Sequence, residues 1–138
     1  GGLYPQELYV FSGNVEDLEA GVYRYEPGRH ELIRIVDEDR RGQVARAALN
    51  QRFIADAPVT LVVGGVIERT RAKYGKRGTD RYVYMDAAAS AENIFLQATV
   101  LGLATLTVGA FDDAKVSRLM GSGSDALPLF IMPIGYPK

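Results

Sequence analysis

The chain has 138 residues, 47% of them hydrophobic and 24% charged, and a net charge of −1. Those values fit one globular domain with a core of its own, and the near-zero charge supplies no field to gather nucleic acid or an acidic membrane surface. With no cysteine and one histidine, His30, the chain has no disulfide framework, no thiolate nucleophile and no Cys- or His-rich metal site, and a Ser-His-Asp triad is disfavoured.

Residues 1–5 (GGLYP) read as a loop, since one Pro and two Gly punctuate them. The run 8–12 (LYVFS) is aromatic and β-branched and predicts a strand. Gly13-Asn14 turns the chain. Residues 22–25 and 31–36 alternate as strands do. Glu26-Pro27-Gly28 between them is hairpin punctuation, so the two pair antiparallel. Asp37, Glu38 and Asp39 then offer helix-capping carboxylates. Residues 44–53 predict an amphipathic helix with Val44, Ala47, Ala48 and Phe53 inward, stopped by Pro58. The run 59–67 (VTLVVGGVI) lacks alternation and predicts a strand covered on both faces. Gly64-Gly65 within it marks a bulge or a close backbone approach. Residues 68–81 are basic and polar, with six Lys or Arg: Arg69, Arg71, Lys73, Lys76, Arg77 and Arg81. Their first half reads as helical, and Gly75 and Gly78 loosen the rest.

The stretch 86–113 organises the chain. Asp86 is placed to cap a helix, along which Ala87, Ala91, Ile94, Ala98 and Leu101 form one apolar stripe. Ala89, Leu96 and Val100 form a second beside it. A helix apolar on most of its circumference is buried on most sides, in a core or against a second subunit. Gly102 ends it. Residues 103–108 read as a short buried strand, left through Gly109-Ala110-Phe111, and Asp112 or Asp113 caps a further helix over 113–120. Residues 121–124 (GSGS) form a flexible loop, and 129–134 (LFIMPI) a last strand. Strands and helices mix without a βαβ rhythm, which predicts α+β rather than a doubly wound parallel sheet.

Among candidate chemical groups, His30 lies between a turn and a strand without an orienting partner, and reads as structural or exposed. Asp37, Glu38 and Asp39, like Asp112 and Asp113, read as caps rather than as a carboxylate pair set across a substrate. Gly64-Gly65 and Gly121-x-Gly123 do not match a dinucleotide fingerprint. The basic run 69–81 reads as a solvated face, with phosphate or dinucleotide binding as the alternative. Thr107, Val108, Gly109 and Ala110 leave two readings open. They make a tight strand-to-helix turn, or a place where exposed main-chain N–H groups meet a flat ligand.

The residues then match a family. Gly1-Gly2-Leu3-Tyr4-Pro5, followed by Glu7-Leu8-Tyr9-Val10, resembles the loop into the first central strand of FMN-dependent nitroreductases, in the branch that includes azoline dehydrogenases. Arg81 to Asp86 and Asn93 to Ala98 resemble that branch's subunit-interface helix. Leu101-Gly102-Leu103, with Val108 to Asp113, resembles its flavin-contacting turn, and Pro133 to Pro137 also fits.

The resemblance implies a single nitroreductase-like domain over residues 1–138, α+β, with a central mixed or antiparallel sheet flanked by helices. It implies a homodimer with two FMN molecules at the interface, reduced by NAD(P)H and reoxidised by a small organic acceptor. The cofactor carries the chemistry, so no catalytic side chain is required of the protein. The cofactor-binding residues it points to are Gly2, Leu3, Tyr4, Pro5, Thr107, Val108, Gly109, Ala110 and Lys138, with a backbone N–H of Gly109 or Ala110 meeting flavin N5. The family sets an Arg-rich helix before the Gly-Gly loop to grip the FMN phosphate. This chain opens at the loop and so reads as N-terminally short, with Lys138 or Lys76-Arg77 as substitutes. It also has Ala88-Ala89 where the branch often has Gly-His. Two other readings follow: a fold-retaining dimer that has lost flavin, and an azoline dehydrogenase acting on a modified peptide. No metal, nucleic acid or membrane partner is expected. No apolar run reaches membrane-spanning length and no signal peptide is visible, which points to the cytoplasm.

Overall fold

Six antiparallel strands form one sheet in the order β3-β2-β1-β4-β6-β5 in the computed structural model, which describes residues 1–137. The strands are β1 (Gln6–Ser12), β2 (Gly21–Glu26), β3 (Glu31–Val36), β4 (Val59–Gly65), β5 (Ala104–Thr105) and β6 (Leu127–Gly135). The expected β2–β3 hairpin is present, with Glu26 opposite Glu31. β4 is central, paired antiparallel with β1 on one side and β6 on the other. Its unbroken apolar run follows from helices covering both of its faces, Val62 lying in one core and Val63 in the other. The register with β6 shifts between Val63 and Gly64. The second glycine serves a close approach: a Cβ on Gly65 would stand 2.6 Å from Val83 Cγ1 and 2.9 Å from Leu129 Cδ1.

Helices lie on both faces. On one side α1 (Arg41–Ala47), the short α2 (Phe53–Asp56) and α5 (Asp113–Leu119) close the larger core, where Phe11, Val44, Ile54, Val62, Val116 and Ile131 are fully buried. On the other, α4 (Val83–Val100) lays Ala87 and Ala91 over Val63 and Met132. α3 (Ile67–Tyr74) leads out of β4, and one π-helical turn (Gly78–Tyr82) joins it to α4. Gly78 is required there, because a Cβ would meet the Thr70 carbonyl oxygen at 2.6 Å.

Three expectations are corrected. The helix expected over residues 44–53 is broken after Ala47: Leu49 and Asn50 take φ of +57° and +60°, a left-handed pair that no helix accommodates. Phe53 is therefore exposed, and its neighbour Ile54 fills the core instead. Asp86 is not a cap. The π turn carries the chain into α4 with Val83 N–H already bonded to the Gly78 carbonyl, so Asp86 sits inside the first turn, where its charge still suits the helix dipole. The buried strand expected over 103–108 shrinks to β5 and a single bridge from Val108 to Ile131. At the sheet's rim it has a partner on one side only, and Ala104, Leu106 and Thr107 are exposed.

Within this chain α4 is buried along one stripe only, Val83, Ala87, Ala91 and Ala98. Tyr84, Met85, Leu96 and Val100 on its remaining circumference face outward, with Leu101 just beyond its end. Gly102 ends the helix as expected, at φ +68°. Asp112 caps α5, accepting from Lys115 N–H at 2.9 Å. That bond, reinforced by the Lys115 ammonium, holds the Asp112 carboxyl below the ordinary carboxylate range.

Candidate functional site

Residues 1–5 form a bent loop against α3. Gly2 takes φ +73° and Tyr4 φ +45°. The first is natural for glycine and the second disfavoured for an aromatic residue. Main-chain and side-chain bonds hold the bend. The Pro5 carbonyl accepts from Val66 N–H at 2.7 Å, and the Tyr4 carbonyl accepts from Arg69 Nη1 at 3.0 Å. Gly2, Leu3 and Tyr4 line a cavity of about 440 Å³ whose opposite wall is Thr70, Tyr74, Tyr82, Met85 and Asp86. Pro5 is buried behind it. Tyr74 and Tyr82 pack edge to face at 5.1 Å, the geometry that their ring quadrupoles favour. A second cavity of about 480 Å³ shares Tyr4 and runs past Glu7, Arg24 and Arg69 to Ser90 and Asn93 on α4.

Residues 107–110 lie elsewhere. Val108 is buried, its N–H donating to the Ile131 carbonyl at 2.8 Å and its carbonyl accepting in return at 3.0 Å. Gly109 and Ala110 then emerge into the open. A Cβ on Gly109 would meet nothing within 4 Å, and neither Gly109 N–H nor Ala110 N–H donates to a partner among the described residues. The turn is nevertheless fixed. Gln51 donates to the Ala110 carbonyl at 3.4 Å, and Asp112 N–H donates to the Ala47 carbonyl at 3.0 Å. So a rigid turn presents two free main-chain donors beside unfilled space. That suits the acceptor-rich edge of a flat heterocycle, and a flavin fits it.

The two segments do not meet within one chain. The cavities lined by Gly2 and Tyr4 contain nothing from 107–110, and the cavity beside Ala110 is lined by α1 and α5 residues such as Arg46 and Lys115. From β1 to the Val108 bridge the sheet crosses β4 and β6, three inter-strand spacings or about 14 Å. Lys138 lies outside the described residues.

The remaining candidates resolve as structural. His30 Nδ1 is 2.8 Å from Tyr25 Oη on an exposed hairpin. Asp37 pairs with Arg34, Glu38 with Arg40 and Asp39 with Arg41. Asp39 also accepts from Arg41 N–H, and the Arg41 guanidinium draws its carboxyl below the ordinary range. Among the described residues no group of three or more His, Cys, Asp or Glu is placed to hold a metal. In the basic run, Arg71 and Lys76 pair with Glu68 and Asp80, whereas Arg69, also exposed, bonds Glu7 and the Tyr4 carbonyl. No helix among the described residues is long and apolar enough to cross a membrane.

Sequence reasoning missed Glu7, Gln51, Tyr74 and Tyr82, and it placed Arg69 on a solvated face, where it is exposed, without seeing its bond to Glu7. The Arg69–Glu7 pair spans 62 positions, so no local spacing announces it.

The chain is thus a layered α+β fold, one antiparallel sheet with helices on both faces. The nitroreductase family model matches residues 1–136, and the chain belongs to that family. A Methanocaldococcus jannaschii protein named as a nitroreductase is 44% identical over 135 residues, 98% of this chain and 67% of that protein. A solved nitroreductase-type structure from Anabaena variabilis superposes with a TM-score of 0.89 at 29% identity, over 96% of this chain and 27% of the other. A chain of the Escherichia coli microcin synthetase McbBCD complex, solved with truncated pro-MccB17 bound, gives 0.81 at 24% identity, over 99% of this chain and 53% of that one. The NADPH:FMN oxidoreductase of Vibrio harveyi, solved with NAD+, gives 0.61 at 24% identity, over 72% of this chain and 46% of that one. The last two likenesses concern the fold. The chain thus spans about two thirds of the M. jannaschii relative and about a quarter of the A. variabilis chain.

Proposed function

We propose that this chain is the core of an FMN-dependent oxidoreductase that carries electrons from NAD(P)H to a small organic acceptor, working as a homodimer. The observation that carries the reading is the pair of unpartnered N–H groups at Gly109 and Ala110 beside open space. When bound, FMN would supply a hydride-accepting N5 and the two-electron store. The protein's own contribution is orientation. Gly109 or Ala110 N–H would bond N5, and Thr107 and Val108 hold that turn at the sheet rim. Gly2, Leu3, Tyr4 and Pro5 would border the ring.

Because residues 2–5 and 107–110 sit on different sides of one subunit, one flavin touched by both draws them from two subunits. The outward apolar face of α4, with Tyr84, Met85, Leu96 and Val100 exposed, is the surface that brings a second copy close. The test is the visible spectrum of the purified chain with and without added FMN, followed by NADH or NADPH under anaerobic conditions. A flavin band that bleaches with either nicotinamide supports the reading. A colourless protein that leaves FMN fluorescence unchanged overturns it in favour of a dimer without cofactor.

A second reading has its own support. The fold likeness to a chain of a synthetase complex solved with a peptide precursor, together with the second cavity beside Tyr4, lined in part by Glu7, Arg24 and Asn93, suits an azoline dehydrogenase acting on a modified peptide. Oxidation of a thiazoline-containing peptide without turnover of simple nitroaromatics would select it.

A further inference from the structure

The geometry points to Arg69 as a positioning residue that sets the shape of the loop bordering the flavin, an inference that rests on the flavin reading above. Arg69 leaves α3 and divides its fork between two acceptors. Nη1 donates to the Tyr4 carbonyl at 3.0 Å, and Nη2 donates to Glu7 Oε1 at 2.5 Å. Glu7 is itself held, for its Oε2 accepts from Tyr9 Oη at 2.9 Å. Tyr9 Oη lies 2.8 Å from Ser124 Oγ, which accepts from Ala126 N–H at 3.2 Å. Each hydrogen in that chain is used once: Ala126 N–H to Ser124, Ser124 O–H to Tyr9, Tyr9 O–H to Glu7. The loop carbonyl is thereby anchored, through Arg69, to a tyrosine that is 2% exposed.

The anchoring has a purpose that local geometry identifies. Tyr4 stands at φ +45°, where an L-residue with a bulky side chain does not settle unaided. Arg69 bonds the carbonyl of that residue. Tyr4 in turn lines both cavities. Releasing the carbonyl would let the peptide swing to an ordinary conformation, carrying the ring and the Gly2–Leu3 backbone with it. A planar fork reaches a carbonyl and a carboxylate together, whereas an ammonium is a point charge and serves them poorly.

The test compares FMN with riboflavin, which lacks the phosphate, by fluorescence titration of wild type, Arg69→Met, Arg69→Lys and the double variant Arg69→Met/Tyr4→Gly. We expect Arg69→Met to weaken both flavins by the same factor, tenfold or more. Arg69→Lys should stay within threefold of Arg69→Met. The double variant should recover at least threefold of the loss, because glycine holds a positive φ without help. A loss confined to FMN would make Arg69 a phosphate partner and overturn the inference. So would an Arg69→Lys variant that matches wild type, or no loss at all, and both results leave the flavin reading standing. A wild-type chain that binds neither flavin overturns that reading and the inference with it. If Arg69→Met fails to unfold cooperatively, Tyr9→Phe carries the test, since it removes only the hydroxyl behind Glu7. The inference expects a smaller loss, equal for both flavins, and an unchanged affinity refutes it.

Discussion

Leu96→Asp is the sharpest probe of the dimer. Leu96 is 57% exposed and Val100 80%, with Met85, Leu101 and Tyr84 at 65%, 59% and 46%. Fully burying such a side chain is worth about 1.5–3 kcal/mol, so the part still exposed holds about 1–2 kcal/mol per residue. Ten such side chains across a two-fold interface give roughly 10–20 kcal/mol, against an association cost of about 4–15 kcal/mol. The balance is favourable but not large. Leu96→Asp removes two leucines and places two carboxylates in a desolvated seam, where an unpaired charge costs several kcal/mol. A loss of about 4 kcal/mol or more raises the dimer Kd roughly a thousandfold. Sedimentation velocity over about 1–100 µM would then show a wild-type dimer and a variant monomer, both with native far-UV circular dichroism. Leu32→Asp on edge strand β3, 40% exposed and remote from α4, is the control and should remain dimeric. A monomeric wild type, or a dimeric Leu96→Asp, would refute the assignment of α4 to the interface.

Three further outcomes are expected. Gly65→Ala should lower stability by about 1–3 kcal/mol in a urea titration, because its Cβ would press on Val83 and Leu129. An unchanged midpoint would mean that both side chains yield freely. Gly109→Val should leave the midpoint within about 0.5 kcal/mol, as surface changes do, yet abolish FMN quenching by filling the space beside the free donors. Retained binding would move the flavin away from this turn. For Asp39, whose carboxyl is held below its ordinary pKa by Arg41, the sign is that of a depressed acid. Its stabilisation is present above the unfolded value of about 3.9 and is lost as pH falls through the folded one. Asp39→Asn should therefore unfold at lower temperature than wild type at neutral pH, and the two melting curves should converge near pH 2. A gap constant with pH would show that the substitution removes something other than charge.

Much of the fold was legible because it follows from short-range chemistry. Pro27-Gly28 between two alternating runs is a hairpin whatever surrounds it, and β3 occupies residues 31–36 as the alternation predicts. The unbroken run of β4 marked a strand covered on both faces. Capping by Asp112 and termination at Gly102 are likewise local. What failed depends on distant partners. The break at Leu49-Asn50 has no glycine or proline to announce it. The early start of α4 depends on a π turn that exists because Gly78 lets Thr70 come close. At the site, Gly109 and Ala110 were readable as small residues after a strand, and their open surroundings agree with that. The Arg69–Glu7–Tyr9 connection joins residues from different elements and was invisible to any window of sequence. In the proposed dimer, how residues 2–5 and 107–110 relate is a property of two subunits, which one chain's pattern does not encode.

The sheet also divides the molecule unevenly. On the α1–α2–α5 side, Tyr9, Phe11, Ile54 and Met120 interlock with a full set of valines, while beneath α4 the wholly buried residues are Val63, Ala87, Ala91 and Met132. Alanines seat a helix close to a sheet but give it little grip, so thermal opening is expected to begin at α4 before the opposite layer. A second copy lying across α4 would tether the helix where its own sheet holds it least. Quaternary association and the stiffness of that layer would then rise and fall together, and hydrogen exchange along α4 would report protein concentration.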